Sequence, residues 1–148
     1  MPTIVLVRHG RTSANEQGIL AGRSPGVTLD EVGQSQATTL ATRLSTVPFA
    51  TIVTSPLERT RETAAHIHAQ QGQNASEVVV DERFIECDYG TWTGQSLATL
   101  AKESLWKQVQ SHPSAVTFPD GESLMAMGMR AVAAIREWNQ QSSDADVL

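Results

Sequence analysis

An arginine and a histidine, Arg8 and His9, stand side by side directly after the apolar run at residues 4–7. The guanidinium of Arg8 is a planar fork of donors that suits phosphate oxygens, and the imidazole of His9 is a nucleophile toward phosphorus. Asn15 follows closely and offers an amide donor to the same anion. Two other interpretations stay open: a histidine that only satisfies local hydrogen bonds, and an asparagine that bonds its own backbone in a turn. The cluster favours phosphoryl chemistry.

A second guanidinium follows the next apolar run, at residues 51–54. Arg59 falls in the first turn of a helix predicted over residues 57–70, where the helix dipole offers a cation no benefit. An anion held between Arg59 and Arg8 explains this position. Pairing with the neighbouring glutamates along the helix is the alternative.

The third candidate is Glu86, which lies in an aromatic segment of a chain that has only 5% aromatic residues. A carboxyl group between apolar walls is suited to general acid catalysis. The alternative is a solvated loop acid beside two core residues, Tyr89 and Trp92. This segment alone leaves the two interpretations in balance.

The other histidines show no spacing typical of a metal site. His66 and His68 are two residues apart on a predicted helix and therefore point in different directions, and His112 lies in a loop before Pro113. We predict a protein without a metal and without a cofactor. Arg23 is a candidate for the pocket rim, where it would meet a second anion.

Short apolar runs alternate with helical periods, which is typical of an α/β fold with a mostly parallel sheet. Ligands bind beyond the carboxyl ends of the strands in such sheets, and Arg8, His9 and Arg59 each follow a run. The predicted strands cover residues 4–7, 51–54 and 78–80, and the predicted helices run from the N-cap Asp30 to residue 44 and over residues 57–70, 96–110 and 122–139. Residues 142–144 are expected to close the last helix. Residues 145–148 then read as the start of a further strand, so we expect a fragment of a longer protein.

The composition is that of one globular domain over residues 1–148, because 148 residues with 40% hydrophobic content can bury a core. A net charge of −5 argues against nucleic acid as a partner. The single cysteine, Cys87, favours a reducing compartment. The sequence has neither a signal-peptide pattern nor an apolar run as long as a membrane span. We predict a cytoplasmic protein that binds no membrane; a homodimer is left open.

Four motifs in chain order together resemble the histidine phosphatase superfamily, the relatives of cofactor-dependent phosphoglycerate mutase. They are Arg8-His9-Gly10 with Thr12 and Asn15, Ser55-Pro56-Leu57-Glu58-Arg59 with Thr63-Ala64, Glu86 with Tyr89-Gly90-Thr91-Trp92-Thr93-Gly94, and Pro119-Asp120-Gly121-Glu122-Ser123. The likeness is greatest to the short bacterial phosphatase branch, some of whose members are probable phosphomutases. It implies a three-layer α/β/α sandwich with a mostly parallel central sheet.

The resemblance also implies roles for individual residues. His9 would be the nucleophile that becomes phosphohistidine, Arg8 and Arg59 would clamp the phosphoryl oxygens, and Asn15 would help line the pocket. Glu86 would protonate the leaving oxygen and later deprotonate water. The substrate would be a small phosphorylated metabolite, and the segment Gly121-Glu122-Ser123 would be mainly structural.

Two departures from the family pattern matter. The family has a second catalytic histidine in a Ser-His-Gly motif near its C-terminus, and none of His66, His68 or His112 sits in such a context, so the domain is expected to be incomplete there and the 148-residue form inactive or feeble. Cys87 and Asp88 follow the acid where glycerate mutases carry Arg-His, which favours a phosphatase. The alternatives are a phosphomutase acting on a small metabolite and, if the protein truly ends at Leu148, a non-catalytic phosphate-binding module.

Overall fold

A computed structural model describes residues 3–72, 75–141 and 146–147, which form six helices and three strands. In chain order these are α1 (Ser13–Glu16), α2 (Glu31–Leu44), β1 (Phe49–Thr54), α3 (Glu58–Gln70), β2 (Val78–Val80), α4 (Leu97–Leu100), α5 (Ser104–Ser111), α6 (Leu124–Gln141) and β3 (Asp146–Val147). Short 3-10 turns cover Glu82–Phe84, Gly90–Trp92 and Pro113–Ala115. The predicted α/β class is confirmed.

The sheet is parallel and has β1 at its centre, in the order β2-β1-β3. Thr54 at the end of β1 is in register with Val80 of β2, and Thr51 is in register with Val147 of β3. β1 ends at Thr54, and α3 begins at Glu58 after a connection of three residues. Arg59 therefore lies in the first turn of α3, next to the carboxyl end of β1.

The strand predicted at residues 4–7 is wrong: only an isolated bridge at Ile4 is present, and Val5, Leu6 and Val7 are irregular. A strand requires ladder hydrogen bonds with a neighbour as well as an apolar pattern. The sequence at residues 4–7 supplies the apolar pattern but does not show whether a neighbouring strand is present. Leu6, one of these apolar residues, is 77% exposed. Val5 and Val7 nevertheless pack against β1, α2 and α3. A cavity of about 260 Å³ is lined by this segment, β1, α3 and the Ile135 and Trp138 side chains of α6.

The helix predicted over residues 96–110 is divided into α4 and α5. Leu100, Leu105, Trp106 and Val109 all pack into one core cluster. Leu100 lies five, six and nine residues before Leu105, Trp106 and Val109. At 100° per residue, these separations would place Leu100 on the opposite side of a continuous helix from the other three. The extended backbone of Glu103 (φ −71°, ψ 144°) resolves this conflict by restarting the helix.

The remaining helix predictions hold to within two residues at each end. Asp30 caps α2 and its carboxylate accepts from the Gly33 N–H at 2.8 Å. The predicted close of α6 at residues 142–144 lies outside the described residues, as do Ala145 and Leu148 of the predicted last strand. None of the helices within the described ranges is long and apolar enough to span a membrane.

Two core clusters hold the elements that carry the candidate residues. The first joins α2, α3 and β1 and so fixes the helix that bears Arg59; its buried members are Ala41, Phe49, Ile52, Ala64 and Ile67. The second fixes the segment after Glu86; its buried members are Cys87, Trp92, Leu100, Val116 and Phe118. Burying each large apolar side chain contributes about 1.5–3 kcal/mol, so both frames are stable supports for the site.

Candidate active site

The His9 imidazole is oriented by the backbone that follows it. Nδ1 lies 2.7 Å from the carbonyl oxygen of Gly10. Because a carbonyl only accepts, Nδ1 donates and the unprotonated nitrogen of the neutral ring is Nε2. The Gly10 N–H donates to Thr63 Oγ1 at 3.2 Å, and Thr63 in turn donates to the Arg59 carbonyl at 2.8 Å. His9 is therefore linked to the helix turn that bears Arg59.

The same segment rests on the first turn of α2 with no side chain between them. A Cβ on Gly10 would lie 2.5 Å from the Gly33 carbonyl oxygen, and a Cβ on Gly33 would overlap the Arg11 carbonyl oxygen. The Asp30 N–H donates to that Arg11 carbonyl at 3.0 Å, and Arg11 Nε donates to the Asp30 carboxylate at 2.7 Å. Two glycines are thus required for the position of His9.

Arg59 is buried in the first turn of α3, with 3% of its surface exposed. Its Nη2 donates to the Gly22 carbonyl at 2.9 Å, whereas Nη1 is buried and has no hydrogen-bond partner among the described residues. Leaving a buried charged donor unpaired is costly. The site therefore lacks an acceptor for this guanidinium.

The glutamates beside Arg59 do not pair with it. Glu58 accepts from the Gly26 N–H at 2.9 Å, and Glu62 accepts from the Leu29 N–H at 2.7 Å. Both carboxylates hold the loop that precedes α2. Surface pairing along the helix is excluded as the reason for the position of Arg59.

The electrostatics of the site keep His9 neutral. Burial is the main cause that lowers the pKa of His9 below its ordinary value, and the nearby positive charges of Arg59 and Arg8 lower it further. Glu86 is close enough to oppose this shift without reversing it. Arg8 itself is exposed. The predicted groups Arg8, Arg59 and Glu86 thus all lie within electrostatic reach of His9.

Glu86 is half-buried and one of its oxygens is held. Oε1 accepts from the Cys87 N–H at 2.8 Å and from the Tyr89 hydroxyl at 3.3 Å. The Tyr89 ring packs edge-on against Phe118 with 4.8 Å between centroids, and burial raises the pKa of its hydroxyl. Glu86 is neither a free loop acid nor fully enclosed, and Tyr89 is both a core residue and a partner of the acid.

Asn15 takes part in the turn at the start of α1. It is exposed, and its Oδ1 accepts from the N–H and the hydroxyl of Thr12, both at 3.0 Å. This is the turn interpretation of the residue; its place in the pocket lining stays a prediction.

Arg23 does not offer a free cation at the rim. Its Nη2 donates to Glu122 at 3.1 Å and its Nε to the Glu86 carbonyl at 2.8 Å. Arg130 on α6, which motif analysis missed, also binds Glu122, with Nε 2.7 Å from Oε1. The only feature of the sequence that could have indicated this contact is that Arg130 lies eight residues after Glu122.

His66 joins α2 to α3, since Nε2 lies 2.6 Å from Gln34 Oε1 and Nδ1 lies 3.2 Å from Thr38 Oγ1. Within the described ranges, no group of three or more His, Cys, Asp or Glu side chains is placed to hold a metal ion.

The fold and these groups define an α/β protein in which Arg8, Arg59 and Glu86 lie near His9, with Arg59 just beyond the carboxyl end of the central strand. The sequence model of the histidine phosphatase superfamily (branch 1) matches residues 4–148, and the chain belongs to that superfamily.

Named relatives include both mutases and phosphatases. The chain is 34% identical over 133 residues to a 2,3-bisphosphoglycerate-dependent phosphoglycerate mutase of Bartonella quintana (strain Toulouse), covering 86% of this chain and 64% of the relative. It is 33% identical over 148 residues to phosphoserine phosphatase 1 of Hydrogenobacter thermophilus (strain DSM 6534 / IAM 12695 / TK-6), covering 95% of this chain and 68% of the relative. The chain thus spans roughly two thirds of the length of these curated relatives.

A solved structure shows the same fold. It is phosphoserine phosphatase from Entamoeba histolytica in complex with 3-phosphoglyceric acid, with a TM-score of 0.83 and 26% identity over 99% of this chain and 72% of that one.

Proposed function

We propose that the protein is a metal-independent phosphatase that cleaves a small phosphomonoester through a phosphohistidine on His9. The observation that carries the proposal is the buried Arg59 Nη1, which has no hydrogen-bond partner in the described part of the chain and lies near a histidine whose pKa is lowered. A phosphoryl group supplies the missing acceptor and matches the fork geometry of a guanidinium. Arg8, which is exposed and close enough to His9 to lower its pKa, adds a second cation.

In the first step the His9 Nε2 lone pair attacks phosphorus while the bond to the ester oxygen breaks. Arg59 and Arg8 bind the equatorial phosphoryl oxygens, which carry the charge of the transition state. Glu86 gives a carboxyl proton to the leaving oxygen, so the first product is a neutral alcohol. The Nδ1–H bond to Gly10 stabilises the ring as it becomes positively charged.

In the second step the Glu86 carboxylate removes a proton from water, whose oxygen attacks phosphorus as the P–N bond breaks. Inorganic phosphate leaves, and His9 and Glu86 return to their first states. The same residue acts as acid and then as base.

A phosphomutase is the second candidate, because a mutase relative is 34% identical to this chain. It differs only in the acceptor, a substrate hydroxyl in place of water. Cys87 and Asp88 after Glu86 are not basic and favour hydrolysis. The single cysteine, Cys87, is a free thiol, which favours a cytoplasmic location.

The test is to mix the full-length protein with ³²P-labelled phosphomonoesters, quench in alkaline detergent, and map the label. We expect label on the His9 peptide that is stable to base and labile to acid, and free phosphate as product. His9→Ala should lose the label, whereas His112→Ala, at an exposed loop histidine, should keep it. Turnover by His9→Ala at the wild-type rate contradicts the proposal, and an isomeric ester as product favours the mutase.

A further inference from the structure

The carboxylate of Glu122 is saturated by groups from three parts of the chain. Arg130 on α6 binds it with both ends of its fork, Nε to Oε1 at 2.7 Å and Nη2 to Oε2 at 2.8 Å. Arg23 donates to Oε2 at 3.1 Å, and the Asp88 N–H donates to Oε2 at 3.2 Å. The Glu122 side chain is only 16% exposed, and these donors, Arg130 first, lower its pKa.

Both arginines also reach the same backbone atom, the carbonyl oxygen of Glu86. Arg23 Nε donates to it at 2.8 Å and Arg130 Nη2 at 3.2 Å. Arg130 Nη1 is fixed in turn by the Arg83 carbonyl at 2.7 Å. A core of one carboxylate and two guanidiniums therefore holds one peptide oxygen.

That oxygen belongs to the peptide group whose N–H, on Cys87, donates to Glu86 Oε1 at 2.8 Å. A trans peptide is planar, with its C=O and N–H pointing in opposite directions. Fixing the Glu86 carbonyl therefore fixes the direction of the Cys87 N–H, and this N–H holds the carboxylate. The described residues provide no hydrogen bond to Oε2, which leaves that oxygen for the substrate.

We propose that Glu122, acting through Arg23 and Arg130, is a positioning residue that sets the direction of the Glu86 carboxyl group through the plane of the Glu86–Cys87 peptide. The proposal rests on the proposed function, in which Glu86 protonates the leaving oxygen. Glu122 touches neither substrate nor reacting atoms. This gives a role in the chemistry to the segment that the sequence marked as mainly structural.

The first test compares phosphoenzyme formation from p-nitrophenyl phosphate, whose leaving group needs little protonation, with formation from ethyl phosphate, whose leaving group needs it. For Glu122→Gln we expect a loss of about tenfold or more in the single-turnover rate on ethyl phosphate, part of the about 10²–10⁴-fold that a general acid contributes, and a much smaller loss on the nitrophenyl ester. Arg130→Lys should give the same pattern, because an ammonium lacks the fork.

The matched control is Glu137→Gln, which removes an ion pair between α6 and Arg83 (2.6 Å) without touching Glu86. It should leave the ratio of the two rates unchanged. An equal loss on both esters in Glu122→Gln means a general effect on the fold and overturns the proposal.

A second measurement does not depend on turnover. Amide hydrogen exchange should be faster at Cys87 in Glu122→Gln than in the wild type, while the amide of Leu100, which is also fully buried, changes only with global stability. If the wild type forms no phosphoenzyme, the proposed function fails and the Cys87 exchange still decides the positioning role. Unchanged exchange at Cys87 in a folded Glu122→Gln protein overturns that role.

Discussion

Replacing Arg59 by methionine should separate binding from stability. Within the described ranges, wild-type Arg59 has a buried Nη1 without a hydrogen-bond partner, and its Nη2 donates to the Gly22 carbonyl. Replacement by methionine removes an unsatisfied buried donor, which should raise the free energy of unfolding by about 1–3 kcal/mol. It also removes a charge-assisted hydrogen bond, which should lower the free energy of unfolding by about 1.5–3 kcal/mol. The two effects nearly cancel, so the free energy of unfolding in phosphate-free buffer should stay within about 2 kcal/mol of the wild type.

Anion binding should respond very differently. Neither N–H group of Nη1 has an acceptor among the residues that the structure describes. Two charge-assisted bonds from them to phosphate are worth about 3–6 kcal/mol. Their loss corresponds to a fall of about 10²- to 10⁴-fold in phosphate affinity and in kcat/KM. At a phosphate concentration of about 100 times its Kd, the wild type gains about 2.7 kcal/mol, which raises its Tm by roughly 5–10 °C for a domain of this size. Arg59→Met should show no such rise at that concentration.

Thermal melting with and without phosphate is the assay, and Arg83→Met is the matched control. Arg83 is fully paired, with Asp81 at 2.6 Å and Glu137 at 2.6 Å. Its loss should destabilise the protein, because Arg83 is the main cause that lowers the pKa of Asp81 to about 2, and the half-buried carboxylate loses that partner. The phosphate response should survive in Arg83→Met. An equal phosphate-induced rise of Tm in the wild type and in Arg59→Met would refute the assignment of Nη1 to the anion.

Two further predictions follow from backbone and charge. Titration of His9 by NMR should give a pKa below its ordinary value of 6.5, and added phosphate should raise that pKa. Because the unfolded chain binds the His9 proton at a higher pH than the folded protein does, the free energy of unfolding should fall as the pH drops below about 6.5. Gly22→Ala should cost about 1–3 kcal/mol in urea unfolding, because Gly22 has φ +52° and a Cβ there would lie 2.9 Å from Thr93 Oγ1. Gly18→Ala is its control, with φ +65° and open space around it, and should cost less and leave phosphate binding unchanged; equal losses would show that the crowding at Gly22 is unimportant.

The position of Arg59 was predictable because it follows β1, whereas the same argument for His9 relied on a strand at residues 4–7 that the structure does not contain. Residues that follow parallel strands collect at one edge of a sheet, and β1 and α3 lie within one residue of their predicted starts or ends at the junction that matters. The error at residues 4–7 has the opposite origin: an apolar run reports burial tendency, whereas a strand is defined by its partner, which a local pattern does not contain.

The network behind Glu86 was not predictable for a similar reason. The Arg23–Glu122 bond joins residues 99 apart in the chain. No periodicity or motif links such positions, and a glutamate next to a helix start reads first as a favourable charge at the dipole. Only the packed structure shows that the Glu122 carboxylate binds the guanidinium groups of Arg23 and Arg130.

The contact between Gly10 and Gly33 has a consequence for how the protein tolerates mutation. The distance of His9 from α2 is set by direct contact between the backbones of Gly10 and Gly33. Substitutions that repack side chains elsewhere should therefore leave His9 in place. Alanine at Gly10 or Gly33 shifts the segment at once, and a second change at the other glycine only adds to the crowding, so neither site has a compensating partner. Variation among sequences with this site should therefore accumulate in the loops that meet substrate, while both glycines stay constant, which lets new specificities arise without disturbing the chemistry.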